Sequence, residues 1–214
     1  MEELKLDKDT GNTILIVGSS KSGKTTFLMR IYNKYFKNRH DMIKTLFATH
    51  TQLNIYRSDH ELLMCEGFPK DAQEYISDQV FLNRNTSNCY QFLNVFDDIL
   101  DVRHSKIINE SILSLRNSNI SSIICLQYTH LFSKAARSSV NNIIFFSFNT
   151  DESIEGVLNT FLKSSFRKIG IAKEDMINVY RDLTRDHNYL YFHPATGYLF
   201  SSKKGILITG HDGS

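Results

Sequence analysis

Eight consecutive residues, Gly18-Ser19-Ser20-Lys21-Ser22-Gly23-Lys24-Thr25, satisfy the pattern GxxxxGK[ST] in full. Glycines at these places let the backbone bend so that several amide N–H groups face one point. A helix N-terminus behind them adds partial positive charge, and the two together cradle phosphate oxygens. In such a cradle the Lys24 ammonium is expected to reach β- and γ-phosphates, and the Thr25 hydroxyl to ligate Mg²⁺. The expected nucleotide-binding set is Gly18, Ser19, Ser20, Lys21, Ser22, Gly23, Lys24, Thr25 and Thr26.

A second group follows the apolar run Phe92-Leu93-Asn94-Val95-Phe96, which ends in Asp97-Asp98. A carboxylate at the carboxyl end of a strand can hold the magnesium shell, the Walker B role. A second acid can orient and deprotonate a water. Asp97 is therefore assigned to the metal and Asp98 to the general base. Asn94 is an odd polar residue in a strand that reads as buried. Gln127 follows the run Ile123–Leu126, where an amide could sense the γ-phosphate or position the attacking water.

Each of these groups sits just after an apolar, β-branched run, and each run reads as a buried strand. Ile14–Val17 precedes the glycine-rich loop, and Thr25–Phe36 after it reads as a helix. Further strands are expected at Thr45–Ala48, Phe92–Phe96, Ile123–Leu126 and Ile143–Phe148. Helices are expected over Asp71–Leu82, Ser105–Leu115, Asp151–Phe166 and Lys173–Leu183. Tyr189–Phe192 and Gly197–Phe200 flank a Pro-Ala-Thr-Gly turn and suggest a terminal hairpin. Short apolar strands alternating with helices imply an α/β fold with a mainly parallel sheet covered on both faces. Ligands of such sheets bind beyond the carboxyl ends of the strands. The 214 residues are expected to form one P-loop domain, with a polar lead over 1–12 and a hairpin and tail over about 188–214.

Composition narrows the function. Twenty-five Lys and Arg against 23 Asp and Glu give a net charge of +2, too mild to imply nucleic-acid binding by itself. Three scattered cysteines, none in a CxxC pair, argue against a disulfide framework or zinc site. The N-terminus has no apolar core resembling a secretory signal, and no apolar run approaches the 18 or so residues of a transmembrane helix. A GTPase would need a base-reading NKxD element, but Asn33-Lys34-Tyr35-Phe36 lacks the Asp, and no DxxG follows Asp97. A small-molecule kinase would carry an arginine-rich lid, and no such cluster follows Ile123–Leu126.

The runs FLNVFDDIL, SLRNSNISSIICLQYTH and ARSSVNNIIFFSFN resemble the genome-packaging ATPases of poxviruses and other large DNA viruses, members of the FtsK–HerA superfamily of DNA-pumping motors. The resemblance covers roughly residues 12–165. Its most specific features are the paired acids Asp97-Asp98 and an arginine, Arg116, eleven residues before the strand-end Gln127. It implies a RecA-like (ASCE) P-loop fold and ATP with Mg²⁺ at the interfaces of a homo-oligomeric ring of five or six subunits. It implies double-stranded DNA gripped without sequence preference, and capsid or portal-vertex partners in the host cytoplasm (viral factory) or virion. It matches Arg116 to an arginine finger and Arg137 to a basic position found in some relatives. Asn94 departs from the family's apolar strand. The short chain leaves no room for the DNA-binding or membrane domains that bacterial relatives append, so targeting would fall to other proteins or to the ring surface. Two other readings stay open: a P-loop nucleotide or nucleoside kinase, and an ATP-gated adaptor that does not hydrolyse.

Overall fold

The computed structural model describes residues 4–6, 11–87, 89–99, 109, 112, 118–127 and 134–209. Its centre is a sheet built, among the described residues, from nine strands: β1 (Thr13–Val17), β2 (Met42–Ala48), β3 (Leu62–Glu66), β4 (Gln91–Asp97), β5 (Ile120–Leu126), β6 (Asn142–Phe145), β7 (Leu190–His193), β8 (Tyr198–Ser201) and β9 (Gly205–Ile208). The strand order is β3-β2-β4-β5-β1-β6-β7-β8-β9. Strands β1 to β6 pair in parallel, and β6-β7, β7-β8 and β8-β9 are antiparallel. The mainly parallel sheet is as expected. The terminal hairpin is extended by β9 into three antiparallel strands.

The unbroken apolar runs follow from burial on both sheet faces. All five residues of β1 are buried. Leu15 and Val17 join a core with Ile124, Leu126, Ile143 and Phe145 on one face. Ile14 and Ile16 join another with Ile123, Cys125 and Ile144 on the other. Helix α1 (Lys24–Ile31) lays Phe27, Leu28 and Ile31 on the second face. It runs on through a π-helical turn at Tyr32–Phe36. The first face is covered by α3 (Ala72–Asn85), through Ala72, Ile76 and Val80, and by the helical segments between Asp151 and Thr184. The short helix α2 (His50–Tyr56) links β2 to the edge strand β3. Of the expected helix Ser105–Leu115 only Asn109 and Ile112 are described, both helical, with Ile112 buried. Among the described residues no helix is long and apolar enough to cross a membrane.

The odd polar residue of β4 has a partner. Asn94 is fully buried, and its Nδ2 donates to Gln79 Oε1 of α3 at 2.7 Å while Gln79 Nε2 donates back to Asn94 Oδ1 at 3.3 Å. A closed amide pair satisfies both groups, whereas removing one leaves the other unpaired in the core. Gln79→Leu is therefore expected to lower stability by about 1–3 kcal/mol, and the double change Gln79→Leu/Asn94→Leu by less than that single change. Denaturant unfolding of Gln79→Leu, Asn94→Leu and the double variant beside wild type checks this; a double loss equal to the sum of the two singles would show that the pair is not coupled.

Candidate functional site

The glycine-rich loop leaves β1 already tied to its neighbours: the Gly18 amide donates to Leu126 O and the Ser19 amide to Ser147 O. Gly18 has no room for a side chain, since a Cβ there would stand 2.7 Å from both Phe146 Cβ and Ser22 Oγ. Gly23, which opens α1, has φ 110°, a conformation that only glycine adopts freely. Lys24 is buried at the start of that helix. Its Nζ donates to Gly18 O at 2.9 Å and Ser19 O at 3.0 Å, so the loop is closed around its own ammonium.

Asp97 ends β4, fully buried, with Thr25 Oγ1 donating to its Oδ1 at 3.1 Å and Tyr56 Oη donating to its Oδ2 at 3.2 Å. Two oxygens on neighbouring corners of an octahedral magnesium shell lie about 2.9–3.0 Å apart, from metal–oxygen distances of about 2.0–2.1 Å. The Thr25–Asp97 pair matches that edge, and both are hard oxygen donors. Among the described residues no group of three or more His, Cys, Asp and Glu side chains is placed to hold a metal, so the rest of such a shell would come from nucleotide and water. The residues present fit Mg²⁺.

Burial raises the Asp97 carboxyl to about 6, against the pull of the hydrogen bonds from Thr25 and Tyr56. A carboxyl raised on folding holds its proton more tightly in the native state. Its contribution to stability is present below about pH 4 and is lost as pH rises through about 6. Above that, the buried charge costs up to about 3 kcal/mol. Asp97→Asn is therefore expected to raise the melting temperature of the nucleotide-free protein at pH 7.5 by several degrees, the gain vanishing near pH 4, while magnesium-dependent nucleotide affinity falls. Melting curves over that pH range read the first effect. An Asp97→Asn variant less stable than wild type at pH 7.5 would contradict it.

Asp98 does not turn away from its neighbour as successive residues of a strand do. Its φ of 58° reverses the chain and brings both carboxylates to the loop. Aspartate is among the few residues that visit this region readily. Asp98 Oδ2 lies 3.7 Å from Lys24 Nζ and accepts from Gln127 Nε2 at 3.0 Å. Gln127 is in reach because β5, whose end it follows, lies between β1 and β4. The structure thus gathers Lys24, Thr25, Asp97, Asp98 and Gln127 at one end of three adjacent strands. Arg137 is not brought to them. It lies on a short helix, Lys134–Ser138, that leads into β6. The Asn141 amide between them donates to Thr13 O, at the start of β1 and the opposite end from the loop. Arg116 lies outside the described residues.

Several groups at the site carry no local mark in the sequence. Tyr56, on α2, reaches Asp97 from a polar stretch with no motif. Cys125 lies opposite Asp97 in the β4–β5 register, and burial pushes its thiol well up, so it is an inert neighbour. A cleft of about 450 Å³ beside the loop is lined by Thr26, Arg30, Gln52, Asp98, His187 and Tyr189, among others. No local pattern marks Arg30, His187 or Tyr189 as part of it.

No protein-family model matches the chain, and no curated protein matches it in sequence. Solved structures do. B204, the DNA-packaging ATPase from Sulfolobus turreted icosahedral virus, aligns over 88% of this chain and 95% of its own, with a TM-score of 0.57 and 13% identity. The genome-packaging NTPase B204 from Sulfolobus turreted icosahedral virus 2, in complex with ATP-γS, covers the same shares with a TM-score of 0.54 and 13% identity. EssC (ATPases 2 and 3) from Geobacillus thermodenitrificans aligns over 95% of this chain and 41% of its own, with a TM-score of 0.52 and 12% identity. At such identities the likeness is one of architecture. The chain has the fold of the P-loop ATPases, with one parallel strand, β5, between the strand that leads into the phosphate loop and the strand that ends in the paired acids.

Proposed function

We propose that this protein is an ATP-driven translocase of double-stranded DNA that packages a viral genome into a preformed capsid, its 214 residues acting as one ATPase domain. The observation that carries the enzymatic part is the seat of Asp98: a carboxylate held by Gln127 Nε2 at 3.0 Å and standing 3.7 Å from the phosphate-loop lysine. A pure nucleotide switch has no need of a base so placed. On ATP binding, Lys24 exchanges its carbonyl partners for β- and γ-phosphate oxygens. Thr25 and Asp97 would hold Mg²⁺, which would neutralise charge on those phosphates. Asp98 takes the proton of the attacking water, which the Gln127 amide orients.

The architecture shared with B204 over nearly the whole of both chains supports the packaging role, as do the acid pair and strand-end glutamine. We read the active form as a ring of five or six copies that grips the DNA backbone without sequence preference. It would dock on capsid or portal-vertex proteins in the host cytoplasm or the virion. Arg116 and Arg137 are the candidates for a charge supplied to the neighbouring copy's γ-phosphate. Arg137, far from its own loop, can act only in that way. Steady-state ATPase assays with and without double-stranded DNA test the proposal. Hydrolysis stimulated by DNA is expected. Phosphate transfer to a nucleoside or nucleotide, or binding without turnover, would overturn it.

A further inference from the structure

The cleft beside the phosphate loop has a wall that the phosphate chemistry does not use. Beyond Thr26 it is formed by Arg30, on the last turn of α1, and by His187 and Tyr189, which come from the loop before β7. We infer that this wall seats the nucleoside half of the bound nucleotide, with His187 and Arg30 as its polar contacts and Tyr189 as its apolar floor. The inference rests on the nucleotide site proposed above and extends it to the ligand's other end.

His187 is fixed to the phosphate loop itself. Its Nδ1 lies 3.0 Å from the Ser22 carbonyl oxygen, and a carbonyl can only accept, so Nδ1 carries the proton. In the neutral ring Nε2 is then left as an acceptor, suited to a ribose hydroxyl or a base amine. The ring is held beside Gly23, where an added Cβ would come 3.4 Å from Nδ1. It thus stands next to the phosphate cradle without entering it.

Tyr189 is buried among aromatic rings. Its ring centroid is 4.5 Å from that of Phe27 and 5.8 Å from that of Phe146. The loop that carries it is pinned at its far side, where the Tyr189 amide donates to Ser202 Oγ at 2.8 Å. Arg30 is exposed, and among the described residues its guanidinium has no ion pair or hydrogen bond. A planar cation of this kind can stack on a base or donate to ribose oxygens. The volume of about 450 Å³ falls in the range of sites that enclose whole small molecules, more than a phosphate chain alone requires.

The test compares two probes that share the phosphates and differ in the nucleoside: ATPγS and inorganic tripolyphosphate, each with Mg²⁺. Dissociation constants are measured for wild type, Arg30→Ala, His187→Ala and the double variant. Both side chains are exposed at the cleft rim, so truncation is compatible with folding, which melting curves verify. Wild type is expected to bind ATPγS more tightly than tripolyphosphate. The double variant is expected to lose about tenfold or more for ATPγS and less than about twofold for tripolyphosphate, the size of two hydrogen-bonding contacts. His187→Gln, which keeps a donor and an acceptor, is expected to recover part of the loss. Equal losses for both probes would show that these residues only brace the phosphate loop. No loss for either would put the nucleoside elsewhere, and both results overturn the inference while leaving the phosphate site standing. Failure of wild type to bind either probe would overturn the nucleotide site as well.

Discussion

Asp98→Asn is expected to keep its affinity for ATP and Mg²⁺ and to lose about 10²–10⁴-fold in turnover, the span of removed acid–base catalysis. The change is a clean one for three reasons visible in the site. Asparagine tolerates the φ of 58° that turns residue 98 toward the loop. Its amide oxygen can still accept from Gln127 Nε2. It cannot take up a proton from water. Single-turnover hydrolysis together with direct nucleotide binding separates the two effects. If instead Asp98→Asn abolishes magnesium affinity and Asp97→Asn spares it, the roles of the two acids are exchanged.

Lys24→Ala is expected to do more, because it removes a charge that serves both binding and reaction. Charge-assisted hydrogen bonds contribute about 1.5–3 kcal/mol each, so loss of the contact to the β- and γ-phosphates should weaken ATP roughly 10–100-fold. The charge that builds on the γ-phosphate during hydrolysis loses a donor worth about a further 10²–10³-fold. The substitution also leaves Gly18 O and Ser19 O without their ammonium, so the loop itself should loosen. Binding titrations and a steady-state assay of the purified variant measure both losses. Wild-type turnover in Lys24→Ala would refute the site.

The phosphate loop and the acid pair were legible in the sequence because local rules write them. Each follows a strand whose consecutive apolar residues announce burial on two faces, and each consists of residue types with few other reasons to stand together. Asn94 was visible as a polar residue in a buried strand, but its pairing with Gln79 is a tertiary fact. The segment from His50 to Glu66 was harder. Thr49 and Gln52 form a capping-box pattern, the one local hint of α2. Strand β3 is an edge strand with Leu63 55% exposed, and its run Leu62-Leu63-Met64-Cys65 holds none of the β-branched residues that mark the buried strands. Tyr56 and His187 could not be read at all. The first acts through Asp97, 41 residues away, and the second through Ser22, 165 residues away. Distances of that kind exist only once the sheet has formed.

The position of β1 in the sheet has a consequence for how the chain is made. Its partners are β5 and β6, and the hydrogen bonds at its start, from the Asn12 amide to Ser121 Oγ of β5 and from the Thr13 amide to Asn141 Oδ1 just before β6, span 109 and 128 residues. The ribosome therefore delivers the strand Thr-Ile-Leu-Ile-Val long before anything exists to pair with it. At about 5–20 residues per second the wait is on the order of 10 s. Through that interval the nascent chain carries an unpaired, uncharged β-branched segment of the kind that templates aggregation. Production of this protein should thus depend on translation speed and on chaperone supply more than its mild composition suggests.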